Sequence, residues 1–423
     1  MNDQTTSLNY SPEFKDIEVA HKVMRDVASV TPLQVSFNLS ERYAANIYLK
    51  REDMQIVRSY KIRGAINKIT SLPEEDLAKG VVCASAGNHA QGVAFSCHKL
   101  KVKGTIFMPV PTPKQKIEQV KMFGKEFVDV VLTGDTFDDA SQKAREFEKV
   151  HGSTFVHPFN DPKVIEGQAT IGLELVQDSD FNIDYIFMPV GGGGLAAGVS
   201  AVIKELSPKT IMIGVEPEGA PAMYESIIQK KVVTLKSIDK FVDGAAVKRV
   251  GDYAYPLCRD NLREIALVNE GKICSSLISM YNESGIILEP AGALSVAVLD
   301  QYKEEIKGKN VVCILSGGNN DITRTEEIRE RSLLFEGLMH YFIVRFPQRA
   351  GALKEFVGEV LGPNDDIVHF EYSKKTSREK GPALVGIELK KKSDLDPLMG
   401  RMKKKNFFGE YLNKKPDLFS HMI

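Results

Sequence analysis

A chain of 423 residues is long enough for two or three domains around a large core. Apolar content of 43% and charged content of 26% are those of a globular protein, and a formal charge of -1 argues against a nucleic-acid or anionic-membrane partner. Five cysteines without a C-x-x-C pair and eight histidines without H-E-x-x-H spacing point to reduced core thiols and give a zinc site little support.

The segment "MNDQTTSLNYSPEFKDIEVAHKV" has no basic start followed by an apolar run, and no stretch approaches the roughly 18 apolar residues that span a bilayer. The expectation is a cytoplasmic protein that handles small molecules. In "SYKIRGA" (59–65), Lys61 sits between an aromatic ring and an apolar residue. A solvated surface charge is the plain reading, and an amine kept for covalent chemistry is the other.

From about residue 80 to 320, short β-branched runs alternate with amphipathic stretches. "GVVCAS" reads as a strand and "NHAQGVAFSCHKLK" as the helix after it. "GTIFMPV" is a strand, and "TPKQKIEQVKMFG" is a helix opened by proline. "FVDVVL", "STFVHP", "YIFMPV", "TIMIGVEP" and "NVVCILSGG" repeat the strand pattern. These runs are apolar throughout, as in parallel strands covered on both faces, so a doubly wound α/β architecture is predicted. Ligands then belong in the loops after the strands.

Residues 323–338 read as a charged linker helix. Beyond it, "LMHYFIVRFP", "AGALKEFVGEVLG", "DDIVHFEY", "ALVGIELK", "DLDPLMGRMKKKN" and "FFGEYL" give the order β-α-β-β-α-β of a small ferredoxin-like domain.

Four loops carry chemistry. Gly191–Gly194 join a strand directly to a helix, which suits a phosphate cradle made of backbone N–H groups and a helix N-terminus. The same stretch fits G-x-G-x-x-A loosely from Gly192 to Ala197, so a dinucleotide reader is a rival. "ASAGNHAQG" offers Ser85, Gly87 and Asn88 as an anion-receptive turn, and "SGGNND" offers Ser316; helix capping is the alternative for both. "EPAGA" (289–293) opens a helix with an acid and a proline. One lysine, one cradle and two polar turns together suit a phosphorylated aldehyde.

"SYKIRGA", "SAGNHAQG", the tetraglycine, "EPAGA" and "SGGN" occur in that order, and with them the chain resembles the fold-type II (tryptophan synthase β-like) pyridoxal-phosphate enzymes, most closely the threonine dehydratases. The resemblance implies that Lys61 binds pyridoxal 5'-phosphate covalently and then serves as general base. It implies that Asn88 bonds the ring 3-oxygen, that Gly191, Gly192, Gly193, Gly194 and Leu195 hold the phosphate, and that Ser316 meets the ring nitrogen. The loop Ser85, Ala86, Gly87, Asn88 and His89 would receive the substrate carboxylate.

On the same likeness, L-threonine would give 2-oxobutanoate and ammonia for isoleucine synthesis; a serine/threonine dehydratase of broader specificity, acting on L-serine as well, is the alternative within the family. Racemising relatives carry a serine where this chain has Ala86, which favours dehydration over a serine racemase. Relatives that bind a divalent cation keep an Asp where Ala222 stands, leaving at most a monovalent cation near Glu216. The expected domains are a catalytic unit at 1–322, with a smaller mobile subdomain around 55–155, and an ACT-like regulatory domain at 339–423. Its strand-to-helix junction "RAGALKEF" holds Gly351, a place for close approach of isoleucine, valine or a partner subunit. A homotetramer is expected. A dinucleotide-binding amino-acid sensor is the non-enzymatic rival.

Overall fold

The computed structural model describes residues 10–25, 27–372 and 380–415. The chain divides into two compact units, Met1–Ile322 and Thr323–Ile423. Among the described residues no helix is long and apolar enough to cross a membrane.

The first unit contains two sheets. One is built from β1 (Leu33–Val35), β2 (Asn46–Arg51), β7 (Tyr185–Pro189), β8 (Ile211–Pro217), β9 (Glu264–Val268) and β10 (Asn310–Leu315), in the order β1-β2-β10-β7-β8-β9. All its pairs are parallel except β1 with β2. The other joins β3 (Val81–Ala84), β4 (Gly104–Met108), β5 (Val128–Leu132) and β6 (Thr154–Phe155) in parallel, in the order β5-β4-β3-β6. Every residue of β3 and β7 is buried, which is why those runs are apolar without alternation.

Strand order in each sheet reverses at one point. β8 and β9 extend to one side of β7 while β10 lies on the other; β4 and β5 extend to one side of β3 while β6 lies on the other. Such switch points open a crevice beyond the carboxyl ends of the strands. The loops after β3, β6, β7 and β10 therefore converge on crevices.

The second unit is an antiparallel sheet of β11 (Met339–Pro347), β12 (Asp366–Tyr372), β13 (Lys380–Glu388) and β14 (Phe408–Tyr411), ordered β12-β13-β11-β14. Alternate residues Phe342, Val344 and Phe346 pack with Phe356 and Met402 from the helices Ala352–Glu359 and Leu395–Lys404. The segment expected as a linker is the helix Thr325–Glu336, whose Leu333 and Leu334 pack with Tyr341 and Leu384, residues of the opposite parity. It thus covers the other face of this sheet. Gly351 has φ +82 at the start of its helix, and a Cβ there would meet nothing within 4 Å. Backbone conformation, not crowding within the chain, calls for glycine at that position.

Candidate active site

A cavity of about 650 Å³ lies where the four loops meet, lined by Lys61, Ser85–His89, Phe159, Gly191–Leu195, Glu289 and Asn319 among others. Lys61 is the first residue of the helix Lys61–Thr70, which crosses the helix Pro162–Asp178 closely because Gly64 and Gly167 face each other. A Cβ on Gly167 would stand 2.6 Å from the Arg63 carbonyl oxygen. The Lys61 amine donates to the Pro158 carbonyl at 2.9 Å. Burial costs the charged form its hydration, and the amine is pushed down to about 8 despite the attraction of Glu289.

Behind it, the fully buried guanidinium of Arg63 bonds Glu52 and Glu174, at 2.8 Å to Glu52 Oε1 and 2.5 Å to Glu174 Oε1. Glu174 also pairs with buried Lys50 at 2.7 Å. Two acids and two bases compensate one another in the interior, and they pin the first turn of the lysine-bearing helix.

The tetraglycine is enclosed rather than loose. Gly193 takes φ +89 as the residue before the helix Gly194–Leu206, a conformation L side chains disfavour. A Cβ on Gly192 would stand 2.2 Å from the Phe159 ring, and one on Gly191 2.9 Å from Ala245 Cα. The first N–H groups of a helix have no intrahelical acceptor, so this end of the cavity presents donors and a positive dipole end.

The opposite wall is polar. Gly87 N–H donates to the Ser85 hydroxyl at 3.3 Å, and Asn88 opens the helix Asn88–Leu100. Asn88 Nδ2 donates to both oxygens of Glu289, at 2.7 and 2.9 Å, and Asn319 Nδ2 donates to Asn88 Oδ1 at 2.7 Å. His89 bonds the Val156 carbonyl through Nε2 at 2.8 Å, and burial drives it down to about 3. His157 accepts the N–H groups of Phe159 and Asn160 on Nδ1 and is held at about 4, again by burial. Both rings are neutral at ordinary pH, so neither supplies a proton there. Ser316, only 2% exposed, is not among the lining residues; its carbonyl accepts the N–H of Tyr60, which is, at 3.2 Å.

These groups suit a phosphorylated aldehyde. Gly191–Gly194 leave no room for side chains at the turn, the helix start beside them offers free N–H donors, and Lys61 supplies an amine for a carbonyl. Asn319 Oδ1 and Gln91 Oε1, on residues of the wall, are buried without a protein partner and keep bonding capacity for a ligand. A dinucleotide fits poorly. The acid that would bind its ribose, Glu216 on β8, is fully buried and accepts the N–H groups of Met223 and Tyr224 at 2.8 and 2.9 Å. The same bonds make Glu216 a cap for the helix Ala222–Ile228, and among the described residues no cluster of three His, Cys, Asp or Glu has metal-site geometry.

Lys61, the cradle and the Ser85–His89 turn, all legible in the sequence, line one cavity; two further contributors lie in loops the sequence singled out without giving these residues a role, and a third lies outside them. Glu289 was visible only as an acid before a proline. Asn319 was one residue of "SGGNND". The loop His157–Asn160 carries no motif, and its one signal in the sequence is its position after the apolar run "STFV".

Residues 24–317 match the family described as pyridoxal-phosphate dependent enzyme, and residues 330–422 match the C-terminal regulatory domain of threonine dehydratase. The biosynthetic L-threonine dehydratase IlvA of Halalkalibacterium halodurans is 58% identical over 97% of this chain and 99% of its own length. The Bacillus subtilis protein of the same name is 56% identical over 97% of each. Among solved structures, the processed form of threonine deaminase isoform 2 from Solanum lycopersicum superposes with a TM-score of 0.72 at 40% identity, covering 76% of this chain and 95% of that one. Maize serine racemase gives a TM-score of 0.71 at 28% identity, covering 77% and 98%. With this cavity and these matches over both units, the chain belongs to the pyridoxal-phosphate dependent enzymes, and among them to the biosynthetic threonine dehydratases.

Proposed function

We propose that the protein converts L-threonine to 2-oxobutanoate and ammonia, the entry step of isoleucine synthesis, using pyridoxal 5'-phosphate. The observation that carries this reading is the placement of the Lys61 amine, the glycine cradle and the Ser85–Asn88 turn on the wall of one cavity. Lys61 would hold the cofactor, and Gly191–Gly194 with Leu195 would take its phosphate. Asn88 is assigned to the ring 3-oxygen and Ser316 to the ring nitrogen. When bound, the cofactor stabilises the electron pair left at the substrate Cα.

The chain's own residues do the rest. The turn Ser85, Ala86, Gly87, Asn88 and His89 receives the substrate carboxylate with N–H and side-chain donors. The Lys61 amine takes the Cα proton, a task that suits a group held at about 8. A hydroxyl such as Ser316 does not fully protonate a ring nitrogen, which moderates the electron sink and favours loss of the β-hydroxyl. Ala86 lines the cavity with a methyl group that has no proton to give, which speaks against racemisation. Serine, with the same leaving group, is a secondary substrate. The second unit binds isoleucine or valine and shifts the catalytic unit between states of different activity. The enzyme works as a homotetramer in the cytoplasm.

Turnover of threonine measured with and without isoleucine tests the reading. Formation of 2-oxobutanoate that isoleucine diminishes is expected; D-amino acid without oxo acid would reject it.

A further inference from the structure

Glu289 is a buried acid on the cavity wall that no step above uses. It stands before the helix Pro290–Ala297, fixed by its own N–H to the Gly317 carbonyl at 3.2 Å. Its carboxylate fills room that two glycines leave open: a Cβ on Gly317 would stand 2.6 Å from Oε1, and one on Gly244 3.2 Å.

Asn88 links this acid to the cofactor site. Glu289 takes the Asn88 amide nitrogen, while Asn319 donates to the amide oxygen at 2.7 Å and to the Val57 carbonyl at 2.8 Å. An amide held as donor at one end and acceptor at the other does not flip; with one hydrogen shared between the two Glu289 oxygens, the second hydrogen of the NH2 group has a fixed direction.

The charged and titratable groups facing Glu289 come from three elements. Lys61 and Tyr60 lie at the start of the helix Lys61–Thr70, Lys116 lies on the helix Lys114–Gly124, and Asp243 lies in the loop opposite, paired with Lys116 at 2.9 Å. Among the described residues no ion pair neutralises Glu289 directly. Burial first, then Asp243, raise it to about 7, against the pull of Asn88, Lys116 and Lys61.

We propose that Glu289 is a positioning residue for the reaction: it aims the second N–H of Asn88 at the cofactor ring, and its negative charge strengthens proton binding at the Lys61 nitrogen. The inference rests on the cofactor reading of the same cavity. It assigns the acid of "EPAGA" a task beyond opening a helix.

The test loads full-length wild type, Glu289→Gln and Glu289→Asp with pyridoxal phosphate and follows the cofactor's absorbance against pH, alongside kcat and KM. In Glu289→Gln the pH at which the protonated band is lost is expected to fall by about one unit, tenfold in proton affinity. In Glu289→Asp the charge stays and the reach shortens, so the band keeps its pH dependence while kcat falls about tenfold or more with little change in KM. A Gln variant with wild-type pH dependence, or an Asp variant with wild-type kcat, would overturn the assignment. If Glu289→Gln does not fold, the Asp variant alone decides. Wild type that takes up no cofactor would remove the underlying reading and this inference together, an outcome distinct from a loaded enzyme whose variants behave alike.

Discussion

Lys50 and Lys61 carry the same side chain into the interior of one unit and meet different neighbours there. Lys50 Nζ has Glu174 at 2.7 Å, Asp178 at 3.4 Å and the Thr31 carbonyl at 2.7 Å. Lys61 has one neutral acceptor, the Pro158 carbonyl, and a cavity in front of it. The first is a charge satisfied in place; the second is an amine held back from full ionisation. Deprotonated amine is the form that attacks a carbonyl, and its fraction falls tenfold for each unit below the pKa. Uptake of pyridoxal phosphate by the cofactor-free protein is therefore expected to speed up about tenfold per pH unit until about 8 and to level above it, as stopped-flow absorbance would show. A flat profile would contradict the assignment. The difference between the two lysines was half legible: the apolar neighbours of Lys61 are in the sequence, but the partners of Lys50 come from a distant helix. Arg63, two positions from Lys61, stood in plain view without a role. Its partners Glu52 and Glu174 are brought to it by tertiary packing, and losing it would strand two buried carboxylates at a cost of about 3–5 kcal/mol.

The elements most readily read from sequence are those buried on both faces. β3, β7, β8 and β10 sit inside their sheets, and their runs of Val, Ile and Met identify them without alternation. β1, β2 and β9 are not legible in the same way. β2 holds Lys50 within "NIYLKR", and a charge in a core strand looks like a turn until its partner is known. The cradle shows the same division. Four glycines between strand and helix announce an anion site, but the lid of that turn is Phe159, delivered by the loop after β6. A methyl at Gly192 must displace the ring. Gly192→Ala is expected to weaken pyridoxal-phosphate binding by about tenfold or more, and Phe159→Ala in the same chain to recover part of it, read by fluorescence titration. Additive losses in the double variant would show that the two residues do not share a contact.

Across the whole molecule, two compact units have separate cores. The first unit is organised around its two switch points, and the second unit has its own aromatic core, including Phe346 and Phe356 with ring centres 5.2 Å apart. The order of elements in the second unit was legible because short apolar runs there are separated by helices with one apolar face, such as Ala352–Glu359 with Phe356 and Leu395–Lys404 with Leu398 and Met402 turned to the core. The role of the helix Thr325–Glu336 was not, since its charged surface hides Leu333 and Leu334. A chain ending at Ile322 is expected to retain threonine turnover and lose its response to isoleucine, measured by oxo-acid formation; an undiminished response would move the effector site to the catalytic unit. The most direct measurement is borohydride reduction of the protein loaded with pyridoxal phosphate, followed by peptide mass analysis. The cofactor's mass is expected on the peptide bearing Lys61, with neither adduct nor 2-oxobutanoate from Lys61→Ala. An adduct on another lysine, or oxo acid still formed by that variant, would contradict the account.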